Sequence, residues 1–145
     1  MRKSMTDLTS IFDENTADWF ASTLGEPTPV QKEAWPAIAG GKHTLVSAPT
    51  GTGKTLSAFL VFIDRLTRQA RAGGLPRQLQ LIYISPLKSL AADIRENLRR
   101  PLDGLAGKGG EEIEIAIRTG DTPQRDRQRM IKYPPHILIT TPESL

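Results

Sequence analysis

The chain has 145 residues, a formal net charge of +3 and 38% hydrophobic residues, and it contains no cysteine. This length suits one ordinary domain, and the hydrophobic share supports a packed core and excludes a disordered tail. No apolar run approaches the ~18 residues of a membrane span, and no secretory signal is visible. The lack of cysteine excludes disulfides and thiolate metal sites and fits a cytoplasmic protein. The mild positive charge permits contact with phosphate backbones without requiring it, so the function has to be inferred from motifs.

Hydrophobic periodicity predicts two N-terminal helices and then an alternation of strands and helices. The predicted elements, in chain order, are helices near Asp13–Leu24 and over Pro29–Ala39, a strand over Thr44–Ser47, a helix through Leu66, a strand over Leu79–Ser85, a helix with apolar positions from Leu87 to Leu98, and strands over Ile113–Ile117 and His136–Thr140. This order predicts an α/β fold in which helices cover both faces of a parallel sheet.

Three pairs of a hydroxyl residue and a proline follow the predicted strands: Ser85-Pro86, Thr122-Pro123 and Thr141-Pro142. Each pair fits the N-cap and the first position of a helix. Ligands of an open parallel sheet bind at the carboxyl ends of its strands, where helix N-termini offer N–H groups to phosphates. Any single pair is better explained as an ordinary cap, but together they predict a row of anion-binding helix starts along one edge.

The strongest functional signal is the segment Ala48–Thr55, with the sequence APTGTGKT. It lies between the predicted strand Thr44–Ser47 and an amphipathic helix, and this context indicates a phosphate-binding P-loop. Ala48 stands where the general pattern has glycine, which is a mild departure.

The chemistry of a P-loop explains the residue types in this segment. Gly51 and Gly53 allow backbone N–H groups to curl around phosphate oxygens without a Cβ in the way. Lys54 supplies a positive charge for the β- and γ-phosphates, and Thr55 offers a hydroxyl to Mg²⁺. Lys54 and Thr55 are therefore predicted to be catalytic.

Gln31 lies a short way upstream of the P-loop, and its spacing leaves two interpretations open. A glutamine amide has one acceptor and two donors, so it can pair with the edge of an adenine. Equally, Thr28, Pro29 and Gln31 fit a capping box as the N-cap, N1 and N3 residues of a helix. Aromatic residues further upstream could stack on a base, but core packing is expected for at least two of the three, Phe12, Trp19 and Phe20.

Three further segments place polar or cationic residues after strands. Lys88 lies in the first turn of a predicted helix, where a lysine opposes the helix dipole, so a phosphate partner and an ordinary solvated lysine are both considered. Arg118–Thr122 is a polar turn in which Gly120 lets another backbone approach closely. Thr140–Leu145 offers hydroxyls and N–H groups that can hold a nucleic-acid phosphate. An ordinary charged helix face is expected of Arg125, Arg127 and Arg129.

Together these motifs resemble those of superfamily 2 DEAD/DEAH-box helicases, in the same order along the chain. The Q motif, motif I, motif Ia, an RTGDT-type element and motif Ib correspond to Gln31, Ala48–Thr55, Ser85–Leu90, Arg118–Thr122 and Thr140–Leu145. SPLKSLAADI, RTGDTPQRDRQR and ILITTPESL are most similar to the large helicase-related (Lhr) group. The resemblance implies a P-loop NTPase (RecA-like) fold, with a helical lead-in over residues 1–26 and a partial ATP-binding domain over residues 27–145.

The resemblance also implies roles for individual residues. ATP and Mg²⁺ would be bound by Gln31, Thr50, Gly51, Thr52, Gly53, Lys54 and Thr55, with Gln31 on adenine and Thr55 on the metal. The nucleic-acid strand would contact Pro86, Lys88, Gly120, Thr141 and Pro142. Proteins of this kind use ATP to translocate on or unwind DNA or RNA, as a single strand or a duplex with a single-stranded tail. Neither a membrane nor an obligate protein partner is indicated.

The acidic DExH motif and the second RecA-like domain are expected beyond Leu145, so negligible ATP hydrolysis is expected of this incomplete first motor domain alone. Two other functions stay open. A small-molecule kinase or other P-loop nucleotide enzyme would have a phosphate-acceptor pocket and no dependence on nucleic acid. A nucleic-acid-binding module that retains the P-loop as a relic would show no stimulated turnover.

Overall fold

The computed structural model describes residues 8–49, 53–106 and 112–145. The chain divides into two compact units, the first ending at Arg68 and the second beginning at Gln69. The boundary predicted between residues 26 and 27 stays a prediction. No described helix is long and apolar enough to cross a membrane.

The first unit contains the helices α1 (Glu14–Leu24) and α2 (Pro29–Ala39), and α3 (Lys54–Arg71) begins in it. The helix α2 has the bounds that the sequence predicts, because its start is fixed by local side chains. The Thr28 hydroxyl accepts the Gln31 N–H at 3.4 Å, and Gln31 Oε1 accepts the Thr28 N–H at 2.9 Å. The predicted capping box is therefore confirmed.

Aromatic packing forms the core of the first unit. Trp35 meets Phe12 and Phe20 edge to face, with ring centroids 4.9 and 5.3 Å apart. All three rings are buried, and Trp19 is partly buried against the same cluster. Core packing of at least two of the upstream aromatic residues is confirmed. The edge-to-face contacts stabilise the fold by more than the burial of their surface area alone.

A buried carboxylate joins α3 to the start of α1. Asp64 is 1% exposed. Its Oδ1 accepts the Asp13 N–H at 3.1 Å and the Thr16 hydroxyl at 2.6 Å, and its Oδ2 pairs with Arg68 at 2.8 Å. Because Asp13 is the N-cap of α1, Asp64 satisfies an N–H at a helix end that has no partner within the helix. Asp64 therefore has a structural role.

The strand predicted over Thr44–Ser47 is wrong. Residues 42–49 have no regular secondary structure, and Leu45 is 94% exposed. The Thr44 hydroxyl donates instead to the Lys42 carbonyl at 2.9 Å. An apolar run of this length becomes a strand only when a neighbouring strand supplies ladder hydrogen bonds, which the local pattern does not report.

The second unit is built on a parallel sheet of three described strands, β1 (Leu81–Ile84), β2 (Ile115–Arg118) and β3 (Ile137–Thr140). The strand order is β1-β3-β2. Ile84 and Arg118 both pair with Thr140 in the register, so the carboxyl ends of all three strands meet at one edge. The three predicted strands in this unit are confirmed, with bounds one to two residues shorter at their starts.

Two helices connect the strands of the second unit: α4 (Ala91–Leu105), after a short 3₁₀ helix over Lys88–Leu90, and α5 (Gln124–Lys132). The buried residues Ile94, Leu98 and Leu102 repeat every four positions along α4, which packs on β2 and β3. A second 3₁₀ helix, Pro142–Ser144, follows β3. A parallel sheet with connecting helices is the predicted α/β class.

Candidate functional site

Of the P-loop segment Ala48–Thr55, the structure describes Ala48, Pro49 and the residues from Gly53 onward. Thr50, Gly51 and Thr52 lie outside the described residues, and so does the predicted wrapping of their amides around phosphate. Gly53 has a φ of 80°, a left-handed conformation that a side chain disfavours. A Cβ at this position would also overlap the side-chain amide of Gln31. The glycine is therefore required both by the backbone and by a close neighbour.

The Gly53 carbonyl fixes the start of α3. It accepts hydrogen bonds from the Ser57 N–H at 3.0 Å, from the Ser57 hydroxyl at 2.9 Å and from Gln31 Nε2 at 3.3 Å. Lys54 and Thr55 occupy the first turn that follows, and both are exposed. The two predicted catalytic side chains thus lie at the start of α3. The carbonyl of Gly53, directly before them, is bonded by Gln31 of α2 and by Ser57 of α3.

A second bond from α2 reaches the same turn of α3. Trp35 lies four residues after Gln31, and its Nε1 donates to the Leu56 carbonyl at 3.2 Å. Residues four apart lie on one face of a helix. That face of α2 therefore holds both Gly53 and Leu56. Trp35 was not predicted as a support of the P-loop, although its spacing from Gln31 places both residues on one face of α2.

Gln31 has the capping function in this structure. It is 3% exposed, its Oε1 accepts the Thr28 N–H, and one of its two amide hydrogens is directed to Gly53. A primary amide has a second N–H available for another acceptor. Cap and nucleotide contact are therefore compatible in one side chain, and the contact to adenine stays a prediction.

The predicted cap at Ser85-Pro86 is wrong. Ser85 Oγ accepts the Leu87 N–H at 3.3 Å and donates to the Leu87 carbonyl at 2.9 Å, which makes a local turn. The N-cap of the 3₁₀ helix is Leu87, and that of α4 is Leu90. The 3₁₀ helix displaces the helix start by several residues, so Lys88 lies in a tight turn between strand and helix.

The other two pairs differ from each other. Pro123, and not Thr122, is the N-cap of α5, so the predicted cap is wrong by one residue. The Thr122 hydroxyl instead accepts the Thr119 N–H at 2.9 Å and donates to the Ile117 carbonyl at 3.3 Å, closing the turn after β2. Thr141 is the N-cap of the last 3₁₀ helix, with Pro142 at its first position, but its side chain makes no capping hydrogen bond.

The structure brings Lys88 to the turn after β2. Lys88 Nζ lies 3.2 and 3.1 Å from the two carboxylate oxygens of Asp121, and the side chains are 58% and 77% exposed. Pro86 and Pro142 are also exposed, whereas Thr141 is buried. Since they follow β1 and β3, they lie after strand ends at the same sheet edge. The pairing of Lys88 with Asp121 was not predicted from the sequence.

Within this turn, residues 119–122, the amide of Gly120 is distinct. The Thr119 N–H bonds Thr122 Oγ1, the Asp121 N–H bonds Thr119 Oγ1 at 3.3 Å, and the Thr122 N–H bonds the Thr119 carbonyl at 3.2 Å. No such bond joins the Gly120 N–H to any residue that the structure describes. Gly120 is exposed, and a Cβ on it would meet open space. Its amide is thus accessible to a ligand.

Residues 28–145 match the family described as DEAD/DEAH box helicase, and the chain belongs to that family.

Relatives and solved structures refine the comparison. The chain is 50% identical over 141 residues to the Lhr helicase/probable uracil glycosylase of Mycolicibacterium smegmatis, covering 92% of the chain and 9% of that protein. It is 49% identical over 144 residues to the ATP-dependent helicase Lhr-Core of Methanothermobacter thermautotrophicus, covering 96% and 17%. The solved Mycobacterium smegmatis helicase Lhr, bound to ssDNA and AMP-PNP, aligns with a TM-score of 0.82 at 47% identity over 92% of this chain and 17% of that one.

A more distant structure shares the fold. The DEAD-box helicase Mss116, bound to ssRNA and UDP-BeF, aligns with a TM-score of 0.76 at 22% identity, over 97% of this chain and 28% of that one. The predicted RecA-like fold and the predicted similarity to Lhr are confirmed. The chain spans between 9% and 17% of the length of the curated Lhr relatives described above.

Proposed function

We propose that the chain is the ATP-binding part of an ATP-dependent helicase or translocase that acts on DNA or RNA. The observation that carries the proposal is the hydrogen bond from Gln31 Nε2 to the Gly53 carbonyl, which joins the Q-motif glutamine directly to the P-loop. Membership of the DEAD/DEAH box family and a relative bound to ssDNA and AMP-PNP support it.

The triphosphate of ATP is bound by Thr50, Gly51, Thr52, Gly53, Lys54 and Thr55 in this proposal. The exposed Lys54 ammonium neutralises charge on the β- and γ-phosphates, and the N-terminus of α3 adds N–H groups and the positive end of its dipole. Gln31 uses its remaining amide hydrogen on the adenine edge. Nucleotide binding and the start of α3 are therefore coupled through one side chain.

Thr55 is the residue that would hold Mg²⁺. It is exposed in the first turn of α3, and Mg²⁺ bound to nucleotides takes most of its ligands from phosphate oxygens and water. No group of three histidine, aspartate or glutamate residues that could hold a metal exists in the described part of the chain. A single protein hydroxyl beside a triphosphate fits these observations, and the bound ion would neutralise developing phosphate charge.

The nucleic-acid strand follows the sheet edge of the second unit, where Pro86, Lys88, Gly120, Thr141 and Pro142 lie after strand ends. Lys88 supplies charge to the phosphate backbone, and the accessible Gly120 N–H donates to a phosphate oxygen. Contacts of this kind do not read bases, which suits movement along a single strand or from a single-stranded tail into a duplex.

The decisive experiment measures ATP hydrolysis by the full-length gene product with and without single-stranded DNA or RNA. Lys54→Ala should reduce the stimulated rate by roughly 100-fold or more, because it removes the charge that stabilises the transferring phosphoryl group. Lys42→Ala, at an exposed lysine of the same unit, is the matched control and should leave the rate unchanged. Hydrolysis that does not respond to nucleic acid would favour a kinase or another nucleotide enzyme, and binding without turnover would favour a relic P-loop.

A further inference from the structure

The three arginines of α5 are not equivalent, contrary to the expected ordinary charged face. Arg127 donates from Nε to the Thr122 carbonyl at 3.0 Å and from one Nη to the carbonyls of Thr119 and Gly120, at 2.9 and 3.3 Å. It is half-buried, whereas the Arg125 side chain is 92% exposed and Arg129 is exposed. Arg127 therefore belongs to the turn of residues 119–122.

This contact depends on the shape of the guanidinium group. A planar fork with five N–H donors can bond several carbonyls of one turn at once, whereas a lysine ammonium is a compact point charge. Arg127 bonds three of the four carbonyls in residues 119–122, all except that of Asp121. The bonds from Arg127 fix the orientation of these carbonyls. The Gly120 N–H therefore stays directed away from them.

We propose that Arg127 is a positioning residue of the nucleic-acid interface. It does not touch the strand. It fixes the turn of residues 119–122 so that the Gly120 N–H is presented to one backbone phosphate. This inference rests on the proposed function, because it presupposes that Gly120 lies along the strand.

The test compares binding of a labelled single-stranded oligonucleotide, as DNA and as RNA, by the full-length gene product and its variants. Arg127→Gln should weaken binding by about tenfold while the KM for ATP changes less than about twofold, since a polar contact to a charged group is lost at one site only. Arg127→Lys should be nearly as weak, because an ammonium cannot bond three carbonyls. Arg125→Gln, on the same helix, is the matched control and should bind as the wild type does.

A double-mutant comparison separates positioning from a general effect on folding. Gly120→Ala places a methyl group in the open space where the strand would approach, and it should weaken binding by itself. In that background Arg127→Gln should add about twofold or less, since both changes disable one contact. If Arg127→Gln does not yield folded protein, Arg127→Lys, which keeps the charge and most of the stem, takes its place in the comparison.

Several results would overturn the inference. Restoration of wild-type binding by Arg127→Lys would mean that Arg127 acts as a charge on phosphate. Wild-type affinity in Arg127→Gln, or a full additive loss in the Gly120→Ala background, would mean that the turn does not need this arginine. A parallel rise in the KM for ATP would indicate a role in folding alone. Wild-type protein that binds neither strand would instead refute the proposed function. Gly120→Ala protein that binds normally would refute the contact between Gly120 and the strand, on which the inference is based.

Discussion

Some polar residues singled out in the two units of the chain differ in how exposed their side chains are. Two of the buried polar side chains in the first unit are Gln31, which bonds Gly53 of the P-loop, at 3% exposure, and Asp64 on α3, at 1%. In the second unit the candidate residues Lys88 and Asp121 have side chains that are 58% and 77% exposed. Buried polar groups are needed for folding as well as for any ligand, whereas exposed ones contribute little to stability. Substitution of the buried Gln31 should therefore change folding and binding together, and substitution of the exposed Asp121 should change binding alone.

The largest expected effect on stability is that of Asp64→Ala. This change leaves the Asp13 N–H and the Thr16 hydroxyl without their acceptor inside the first unit. Loss of a buried, hydrogen-bonded carboxylate should lower the free energy of unfolding by about 3 kcal/mol. Urea unfolding of the 145-residue chain measures it. Asp18→Ala, at an exposed position of α1, is the control and should stay within about 0.5 kcal/mol of the wild type.

A result for Asp64→Ala as small as that for the control would break the comparison between the two units. It would mean that the buried polar contacts of the first unit do not contribute to the free energy of unfolding. The ion pair with Arg68 would then be the main interaction of Asp64. A pair with a half-exposed arginine contributes little to the free energy of unfolding.

Gln31→Ala tests the comparison at the P-loop and should have the next largest effect. It removes the half of the capping box that this side chain makes, the bond from the Thr28 N–H, and the bond to Gly53, so the free energy of unfolding should fall by about 1–2 kcal/mol. The dissociation constant for ATP should rise by about tenfold, because the start of α3 loses a support and the adenine loses a donor. Fluorescent ATP titration and urea unfolding of the same preparation measure the two effects.

Glu33→Ala, on the exposed side of α2, is the control for both measurements. A loss of stability without a loss of ATP affinity would assign Gln31 to capping alone. A loss of affinity at unchanged stability would assign it to the nucleotide alone. Either separation would contradict the coupling that the first unit is inferred to have.

Local signals in the sequence predicted local structure well. The capping box of α2 lies within four residues, so Thr28 and Gln31 were sufficient to identify it. The strands around Tyr83, Ile117 and Ile139 were identified because apolar alternation and β-branched residues coincide there. The atoms that make the capping box are near one another in the sequence, and the strands have local composition that coincides with partners supplied by the fold.

Features that depend on distant atoms were missed. The apolar run over residues 44–47 has strand composition, but composition does not supply a pairing partner, and Leu45 is exposed. The pair between Lys88 and Asp121 spans 33 positions. Arg127 bonds carbonyls five to eight residues earlier, across the turn that precedes α5, so its spacing from the neighbouring arginines carried no sign of this contact. Its partners become evident only when that turn has folded.

The smallest expected effect is that of Asp121→Asn, which tests the exposed side of the comparison. The carboxylate competes with phosphate for Lys88 and repels the strand, so its removal should tighten oligonucleotide binding by about two- to threefold at low salt. The gain should shrink as salt rises, because interactions between exposed charges are screened. Unfolding should not change by more than about 0.5 kcal/mol, since an exposed pair contributes little to stability.

Asp103→Asn makes the same change of net charge at an exposed position of α4, so it isolates the contribution of the Lys88 pair. Equal tightening in both variants would mean that only net charge matters and that Asp121 does not restrain Lys88. Tightening confined to Asp121→Asn, with unfolding unchanged, would show an exposed residue that alters binding without altering the fold. Gln31 should not allow that separation, because its cap and its contact to the P-loop are made by the same buried amide.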